Sequence, residues 1–252
     1  MLPHPELVEA VGAGYVQLLA DYYWIETLQA VVAAKSPQEY RDIYDYAMMV
    51  VKLDPDFRPV YMFAGASIPV QDENKRWYNT EESTKLMQLG VTRFPNLLTL
   101  RILLAYNLST YKHDYVAAAQ NLIAASKLPG APSYVRALAT RLYSQAGDFD
   151  AGLALAQSVV DSATDPETRR VFEQRIRELQ LERVLTGLDH LLDRYQQSFG
   201  KPASSLKELI KIGWLDGLPT DPLGGTLEIG KDGRSHSTAQ PHRLHLFTEP
   251  QP

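Results

Sequence analysis

The sequence predicts an all-α protein built from consecutive helix pairs, and two observations lead to that prediction. Prolines recur at Pro55, Pro95, Pro132 and Pro166, with separations of 40, 37 and 34 residues. Each follows an apolar run that ends in turn residues, which is typical of a helix closed by a loop. In two of the intervals the chain shows a short helix, a break and a second helix, so the architecture is expected to repeat.

Composition places the chain among soluble globular proteins and excludes several classes of function. Its 252 residues suffice for one large or two small domains, and 45% hydrophobic with 22% charged residues is ordinary for such a protein. The net charge of −5 and the lack of a basic run argue against nucleic-acid binding. The absence of cysteine excludes disulfides and thiolate metal sites.

The most apolar window, residues 11–34, is predicted to be a buried helix and not a membrane span. Gln17, Asp21 and Glu26 interrupt it, and each is costly in hydrocarbon. The opening "MLPHPE" has no basic region followed by an apolar run, so no signal peptide is predicted. A cytoplasmic location is the default expectation. Membrane association, for example in the periplasm, is expected only through a partner or through an anchor that precedes this sequence.

Residues 133–166, "SYVRALATRLYSQAGDFDAGLALAQSVVDSATDP", carry the clearest repeat pattern. Its small, aromatic and aliphatic positions are Ala139, Tyr143, Gly147, Phe149, Gly152, Ala156 and Val159. Gly147 is expected to end the first helix, because a residue without Cβ tolerates the left-handed turn conformation. The spacing resembles a tetratricopeptide repeat, which implies two antiparallel helices that approach closely at residues 139 and 152.

Three earlier segments are interpreted as related units. Residues 97–130 match the pattern at Ala105, Ala118, Leu122 and Ala125, with "HD" at 113–114 where the next unit has "GD". A unit over residues 57–95 carries extra residues in "SIPVQDENKRWYNTEE", and a degenerate unit covers residues 6–55. One unit cannot bury its own apolar faces, so the resemblance implies an α-solenoid of about four stacked helix pairs over residues 1–166. The alternative is a nonrepeating helical bundle.

Residues 167–199 are predicted to form a long helix that caps the solenoid. Apolar residues recur at helical spacing from Phe172 to Phe199, and Glu173 with Arg177 forms an i,i+4 pair on a charged face. A kink or division is expected at Gly187. A solenoid needs such a cap to shield its last apolar face.

Residues 200–252 are predicted to form a C-terminal helix, a proline turn, a hairpin and a tail. Ser204 or Ser205 is the expected N-cap of the helix, and Gly213 its stop. "LPTDPLGG" turns the chain, and "TLEIGKDGRSHST" is typical of a hairpin with "KDG" at its tip. This ending resembles the C-terminal part of type II secretion pseudopilins, but the long apolar helix with which pseudopilins begin is absent. We therefore expect a module docked on the last helices, with Trp214 as its anchor, covered by Leu209, Ile210, Leu215 and Leu218.

The whole arrangement resembles helical-repeat proteins of bacterial envelope and pilus systems. The resemblance rests on "LLADYYWIETLQAV" near the start and on "LDPDFRPVYMFAG" at the opening of the next repeat. It implies a bacterial scaffold or assembly factor and no particular chemistry.

Two sets of residues are candidates for binding a partner. Trp77 and Tyr78 lie in the inserted loop, where the repeat does not require aromatics, and Tyr and Trp are enriched in interface hot spots. By the tetratricopeptide resemblance, a concave groove is lined by Leu103, Asn107, Tyr134, Ala137, Arg141 and Gln145. Asn107 and Arg141 are 34 residues apart, so they are expected at equivalent places, where they bind the main chain or a carboxylate of an extended partner. The carboxylate-clamping members of that family have lysines where this chain has Leu103 and Ala137, which argues against capture of a C-terminal carboxylate.

Groups that support catalysis or metal binding are few. His236, His242 and His245 cluster without a carboxylate or thiolate in their stretch, so no metal site is predicted. His113 is assigned to a turn and His190 to the helix surface. No Gly-rich phosphate loop, nucleophile elbow or His-Glu metal motif occurs, and no cofactor is expected.

The sequence therefore predicts a non-catalytic adaptor or assembly factor that binds another protein or a peptide through a helical-repeat groove. The alternatives are a permanent accessory subunit of a membrane-associated bacterial complex, such as a pilus or secretion assembly, and an enzyme with an unrecognised site. An adaptor should have a partly polar groove, a permanent subunit a broad apolar face, and an enzyme a closed pocket with convergent titratable groups.

Overall fold

The computed structural model describes residues 14–244, and this part of the chain is mostly helical with two small antiparallel sheets. The elements are α1 Val16–Ala33, α2 Pro37–Leu53, a π-helical segment Val60–Ala64 that continues as α3 Gly65–Ser67, β1 Val70–Gln71, β2 Trp77–Tyr78, α4 Thr80–Arg93, α5 Leu98–Thr110, α6 Tyr115–Ser126, α7 Tyr134–Gln145, α8 Phe149–Ser162, α9 Pro166–Phe199, α10 Leu206–Lys211, β3 Leu227–Ile229 and β4 Ser235–Ser237. The chain forms two compact units, residues 1–135 and 136–252. None of the described helices has the length and apolar character to cross a membrane.

Helix pairs form where the sequence predicts them, because local turn chemistry fixes the breaks. His113 and Gly147 lie in the turns between α5 and α6 and between α7 and α8, with φ of 51° and 73°. The following residues, Asp114 and Asp148, cap α6 and α8 by accepting hydrogen bonds from backbone N–H groups at 2.9 and 3.1 Å. The "HD" and "GD" pairs are thus the same device, a left-handed residue followed by an N-cap.

The first unit begins with α1 packed against α2. Ser36 and Glu39 form a capping box at the start of α2, and Pro37 occupies its first turn. The backbone N–H groups of Lys35 and Ser36 hydrogen-bond the Glu39 carboxylate and lower its pKa. Ile43 and Ala47 on α2 are fully buried.

The segment over residues 57–95 departs from a regular repeat. Its first helix is short and π-helical, and β1 and β2 form a hairpin before α4 begins. Pro69 has no N–H to continue the helix after Ile68. Gly90 on α4 lies so close to Tyr61 that an added Cβ would be 2.7 Å from its ring, so only glycine permits this contact.

In the second unit α8 packs against α9 around a core of Ala156, Val159, Phe172, Leu179 and Leu244. Asp165 caps α9 by accepting from Thr168 N at 2.7 Å, and Gly200 ends it with φ of 66°. The helix runs for 34 residues and is not divided at Gly187, so the predicted division at that residue is wrong.

The C-terminal segment packs on α9, as predicted. Ser205 precedes α10 as its N-cap residue, Gly213 follows it with φ of 75°, and β3 pairs with β4 around the predicted tip. Leu188, Leu192 and Tyr195 of α9 form a core with Leu206 and Leu209 of the segment, and Trp214, Leu215, Leu227 and Ile229 pack against it. The prediction for Leu218 is wrong, because its side chain is exposed and does not cover Trp214.

Charged and polar side chains also hold this segment on α9. Asp189 of α9 accepts from Ser235 N at 2.7 Å and from Ser235 Oγ at 2.8 Å. Arg243 donates to the fully buried Glu182 and to Asp189, both at 2.8 Å. Arg234 pairs with Asp193 at 2.9 Å, and Ser237 donates to the buried Asp221 at 2.5 Å. We call Glu182, Asp189, Ser235 and Arg243 the clamp, which no sequence pattern predicted.

Candidate partner-binding surface

The inserted loop of the first unit is a hairpin whose turn is fixed by one carboxylate. Asp72 accepts from Arg76 N at 2.8 Å and from the Tyr78 hydroxyl at 3.1 Å. Lys75 takes a left-handed conformation with φ of 62°, and its N–H donates to Asp72 O at 3.0 Å. The Arg76 N–H, and also the Tyr78 hydroxyl, hold the Asp72 pKa below its ordinary value of 3.8. The carboxylate therefore orders the turn in its ionised form.

The hairpin places Trp77 beside two tyrosines from the end of α5. The Trp77 and Tyr111 ring centroids lie 4.8 Å apart, and Tyr111 meets Tyr106 edge to face at 5.8 Å. Trp77 and Tyr106 remain 41% and 52% exposed. We call Trp77, Tyr106 and Tyr111 the aromatic surface.

Tyr111 is the half-buried support of the aromatic surface. Burial, together with the neighbouring Tyr106, raises the pKa of Tyr111 to about 12, so its hydroxyl keeps its proton at neutral pH. Lys112, the next residue, forms an ion pair with Glu81 near the start of α4. The aromatic surface is thus held from the hairpin, α4 and α5, and it presents two large rings to solvent.

Trp77 and Tyr78, predicted to bind a partner, point to different sides of the hairpin. Trp77 is exposed, whereas Tyr78 is half-buried and uses its hydroxyl to order the turn. Successive strand residues face opposite ways, so one of the two had to turn inward. Trp77 remains a candidate contact, and Tyr78 supports it.

The prediction that Asn107 lines an accessible groove is wrong. Asn107 is 3% exposed and donates to Ser83 Oγ at 2.5 Å, and Ser83 Oγ donates to the Gly65 carbonyl at 2.5 Å. This chain of hydrogen bonds satisfies polar groups inside the first unit. The outward residue next to it is Tyr106, which the sequence interpretation missed; its only signal was the aromatic pair in "AYNLSTY".

The other predicted groove residues have different environments. Leu103 is half-buried on the same side of α5 as Tyr106, three residues away, and Tyr134 at the start of α7 is exposed. Ala137 packs against the core around Phe172 in the second unit, so it lines no groove. Arg141 and Gln145 are half-buried. Burial is the main cause that lowers the pKa of Arg175, and the charge of Arg141 adds to it.

The late histidines and their neighbouring carboxylates do not form a metal site among the described residues. Within residues 14–244 no group of three or more His, Asp or Glu side chains could hold a metal ion. His236 Nε2 lies 2.9 Å from Asp232, so a carboxylate does reach this histidine, because the hairpin tip turns the chain back. His242 is exposed and His245 lies outside the described residues.

One depression of about 290 Å³ lies in the first unit, lined by Arg58, Arg93, Phe94, Pro95, Asn96 and Leu97. Arg93 is bound in bidentate fashion to Asp56 at 2.7 and 2.8 Å. Arg58 stacks over the Phe94 ring at 5.0 Å. The lining contains no carboxylate or imidazole, so it offers no acid–base pair.

Comparison with protein-family models, with curated proteins and with solved structures found no match.

Proposed function

We propose that the chain is a non-catalytic adaptor that binds another protein or a peptide, and that the aromatic surface is a central part of the contact. The observation that carries this proposal is the trio Trp77, Tyr106 and Tyr111, in which two exposed large rings lie beside a half-buried third. Solvent-exposed Trp and Tyr held in one place are typical of interface hot spots.

Preorganisation supports a binding role over an accidental exposure. The Asp72 turn and the Lys112–Glu81 pair fix the backbone on both sides of the rings. Binding of a partner therefore costs little free energy for ordering this surface, because the side chains of the aromatic surface already have defined positions. Tyrosine hydroxyls beside apolar ring faces suit an extended segment that offers one apolar side chain and main-chain polar groups.

We further propose that the helix pairs of the first unit stack in the tetratricopeptide manner. Within this unit, the left-handed residue and aspartate cap at 113–114, which lie between α5 and α6, support this arrangement. Leu103 and Tyr106 then belong to one face of α5, adjacent to the aromatic surface.

The test is a selection of peptides from a displayed random library, with the whole chain as bait. We expect enriched peptides whose affinity falls at least about 30-fold for Trp77→Ala, in line with a hot-spot loss of 2 kcal/mol or more. Tyr134→Ala is the matched control, because Tyr134 is exposed to a similar degree and was predicted to line the groove. Thermal unfolding should show that both variants stay folded.

Two results would contradict the proposal. Selected peptides that bind Trp77→Ala as tightly as the unmodified chain place the contact elsewhere. A loss for Tyr134→Ala alone assigns binding to the groove predicted from the repeats.

The alternative of a permanent accessory subunit, which predicts a broad apolar outer face, has one observation in its favour. The helix α1 carries such a face.

A further inference from the structure

The helix α1 has two apolar sides, and only one of them is covered by other residues of the described range 14–135. Ala20, Tyr23 and Thr27 are buried on the side that includes the contact with α2. On the opposite side Tyr15, Leu18, Tyr22, Ile25 and Val32 are 51–88% exposed. Single exposed apolar side chains are ordinary in soluble proteins, but five on one helix face mark an interaction site.

These residues follow the spacing of a coiled-coil seam. Together with the exposed Gln29 they occupy positions 15, 18, 22, 25, 29 and 32, so the separations alternate between three and four. This 3.5-residue period places side chains where another helix can receive them between its own. We call these six residues the α1 stripe.

A lipid surface does not fit the α1 stripe. The helix has no lysine or arginine, and the acidic residues Asp21 and Glu26 flank the stripe on its two sides. Helices that lie in a membrane interface carry basic residues on the polar face, which attract anionic lipids. Two flanking carboxylates would be repelled instead.

We propose that the α1 stripe binds the α1 stripe of a second copy of this chain, in antiparallel orientation, about a two-fold axis between residues 23 and 24. That axis sets Tyr22 against Ile25 of the second copy, Leu18 against Gln29 and Tyr15 against Val32. Every member of the stripe then has a partner, as an isologous interface requires.

The charges select antiparallel over parallel pairing. In a parallel, in-register pair Asp21 of each helix lies beside Glu26 of the other, which brings like charges together on both flanks. In the antiparallel pair each flank faces the same flank of the second copy. Asp21 then lies beside Leu28 of the second copy, and Glu26 beside Leu19 of the second copy. Buried apolar area is on the order of 1,000 Å², the lower limit for specific interfaces, so the dimer should be weak and concentration-dependent.

Sedimentation velocity tests the dimer. We expect the mass of the unmodified chain to rise from 28.3 kDa towards twice that value as concentration increases into the high micromolar range. Ile25→Glu should weaken self-association at least about 10-fold, since it places a charge at the centre of the seam. Leu89→Glu, at an exposed apolar position of α4, is the matched control and should behave as the unmodified chain. Circular dichroism should show unchanged helix content in both variants, because both side chains are exposed within one copy.

Cysteine cross-linking tests the orientation, and the chain has no native cysteine to interfere. Mixed Leu18→Cys and Gln29→Cys chains should form a disulfide under mild oxidation, whereas each alone should not. In the antiparallel register two copies of residue 18 lie about 16 Å apart along the helices, and a disulfide needs Cα atoms within about 7 Å.

A monomer at every concentration overturns the proposal and assigns the α1 stripe to residues 1–13 or to a different protein. Equal self-association of Ile25→Glu also overturns it. Disulfides in the single-cysteine samples, with none in the mixture beyond them, show parallel pairing and contradict the orientation.

Discussion

The two hairpins in the described part of the chain are both short antiparallel pairs, but they differ in use. The pair β1 and β2 in the first unit presents Trp77 to solvent, with its turn held by Asp72. The pair β3 and β4 in the second unit is fastened to α9 by the clamp and by apolar packing of Leu227 and Ile229. A two-stranded hairpin alone is marginal in water, so each must be held by something outside its own strands.

What holds each hairpin indicates what it can do. The clamp uses fully or largely buried charges that tolerate little change, so the C-terminal hairpin is part of the folded core of its unit. The first hairpin is supported by an exposed carboxylate and ring contacts, so its outer face is free for a partner. The difference shows that similar elements serve as scaffold or as binding surface according to which residues lie behind them.

The largest effect should follow from breaking the clamp with Arg243→Met. The substitution removes the Arg243 guanidinium from the fully buried Glu182, and loss of one partner of a buried ion pair costs about 3–5 kcal/mol. Amide exchange should show that protection of residues 235–244 falls accordingly, while the β1–β2 hairpin is unaffected. The control is Arg183→Met, at the residue next to Glu182 on α9. It removes an exposed ion pair with Asp150 of α8 and should cost at most about 1 kcal/mol. Equal losses for the two variants would contradict the structural role of the clamp.

A smaller effect is expected from Trp214→Ala, which removes apolar packing and leaves the clamp intact. Trp214 is half-buried, with Arg194 4.5 Å above its ring, so the loss should be about 1–3 kcal/mol, less than for a fully buried Trp. Limited proteolysis should then cut residues 204–225 first, with β3 and β4 still protected. Leu218→Ala, at the neighbouring exposed leucine, should change little. If residues 204–225 and the β3–β4 hairpin lose protection from proteolysis together, the clamp does not hold the hairpin by itself.

The smallest effect concerns pH and the first hairpin. The Asp72 pKa is lower in the folded chain than its ordinary value of 3.8, so the ionised carboxylate stabilises the turn above that value. This stability is lost as the pH falls through the folded pKa, and loosening of the hairpin should begin below about pH 4.

Asp72→Asn should loosen the turn already at neutral pH and remove the acid dependence. The indole N–H signal of Trp77 in NMR spectra reports both changes. Glu73→Gln, at the exposed neighbouring position, should keep the behaviour of the unmodified chain. An acid transition of the same size in Asp72→Asn would show that another group controls the hairpin.

Local chemistry let the sequence determine most helix boundaries. Gly147 and His113 mark the breaks, because φ is positive there, and the aspartates that follow them cap the next helices. Pro166 opens α9 and Gly213 follows α10 for reasons that also reside within a few residues of chain. Such features need no knowledge of distant contacts, and so a single sequence was sufficient to predict them.

Tertiary structure alone decided which side chains are buried and which meet. The 34-residue separation of Asn107 and Arg141 suggested that Asn107 lines a groove. Instead, the Asn107 side-chain amide donates a hydrogen bond to Ser83, 24 residues away, inside the core. The clamp joins Arg243 to Glu182 across 61 residues, and the aromatic surface joins Trp77 to Tyr111. Polar and aromatic residue types are compatible with both core and surface, because a buried polar group is stable once its hydrogen bonds are made. Only the packing of helices against one another supplies or withholds those partners.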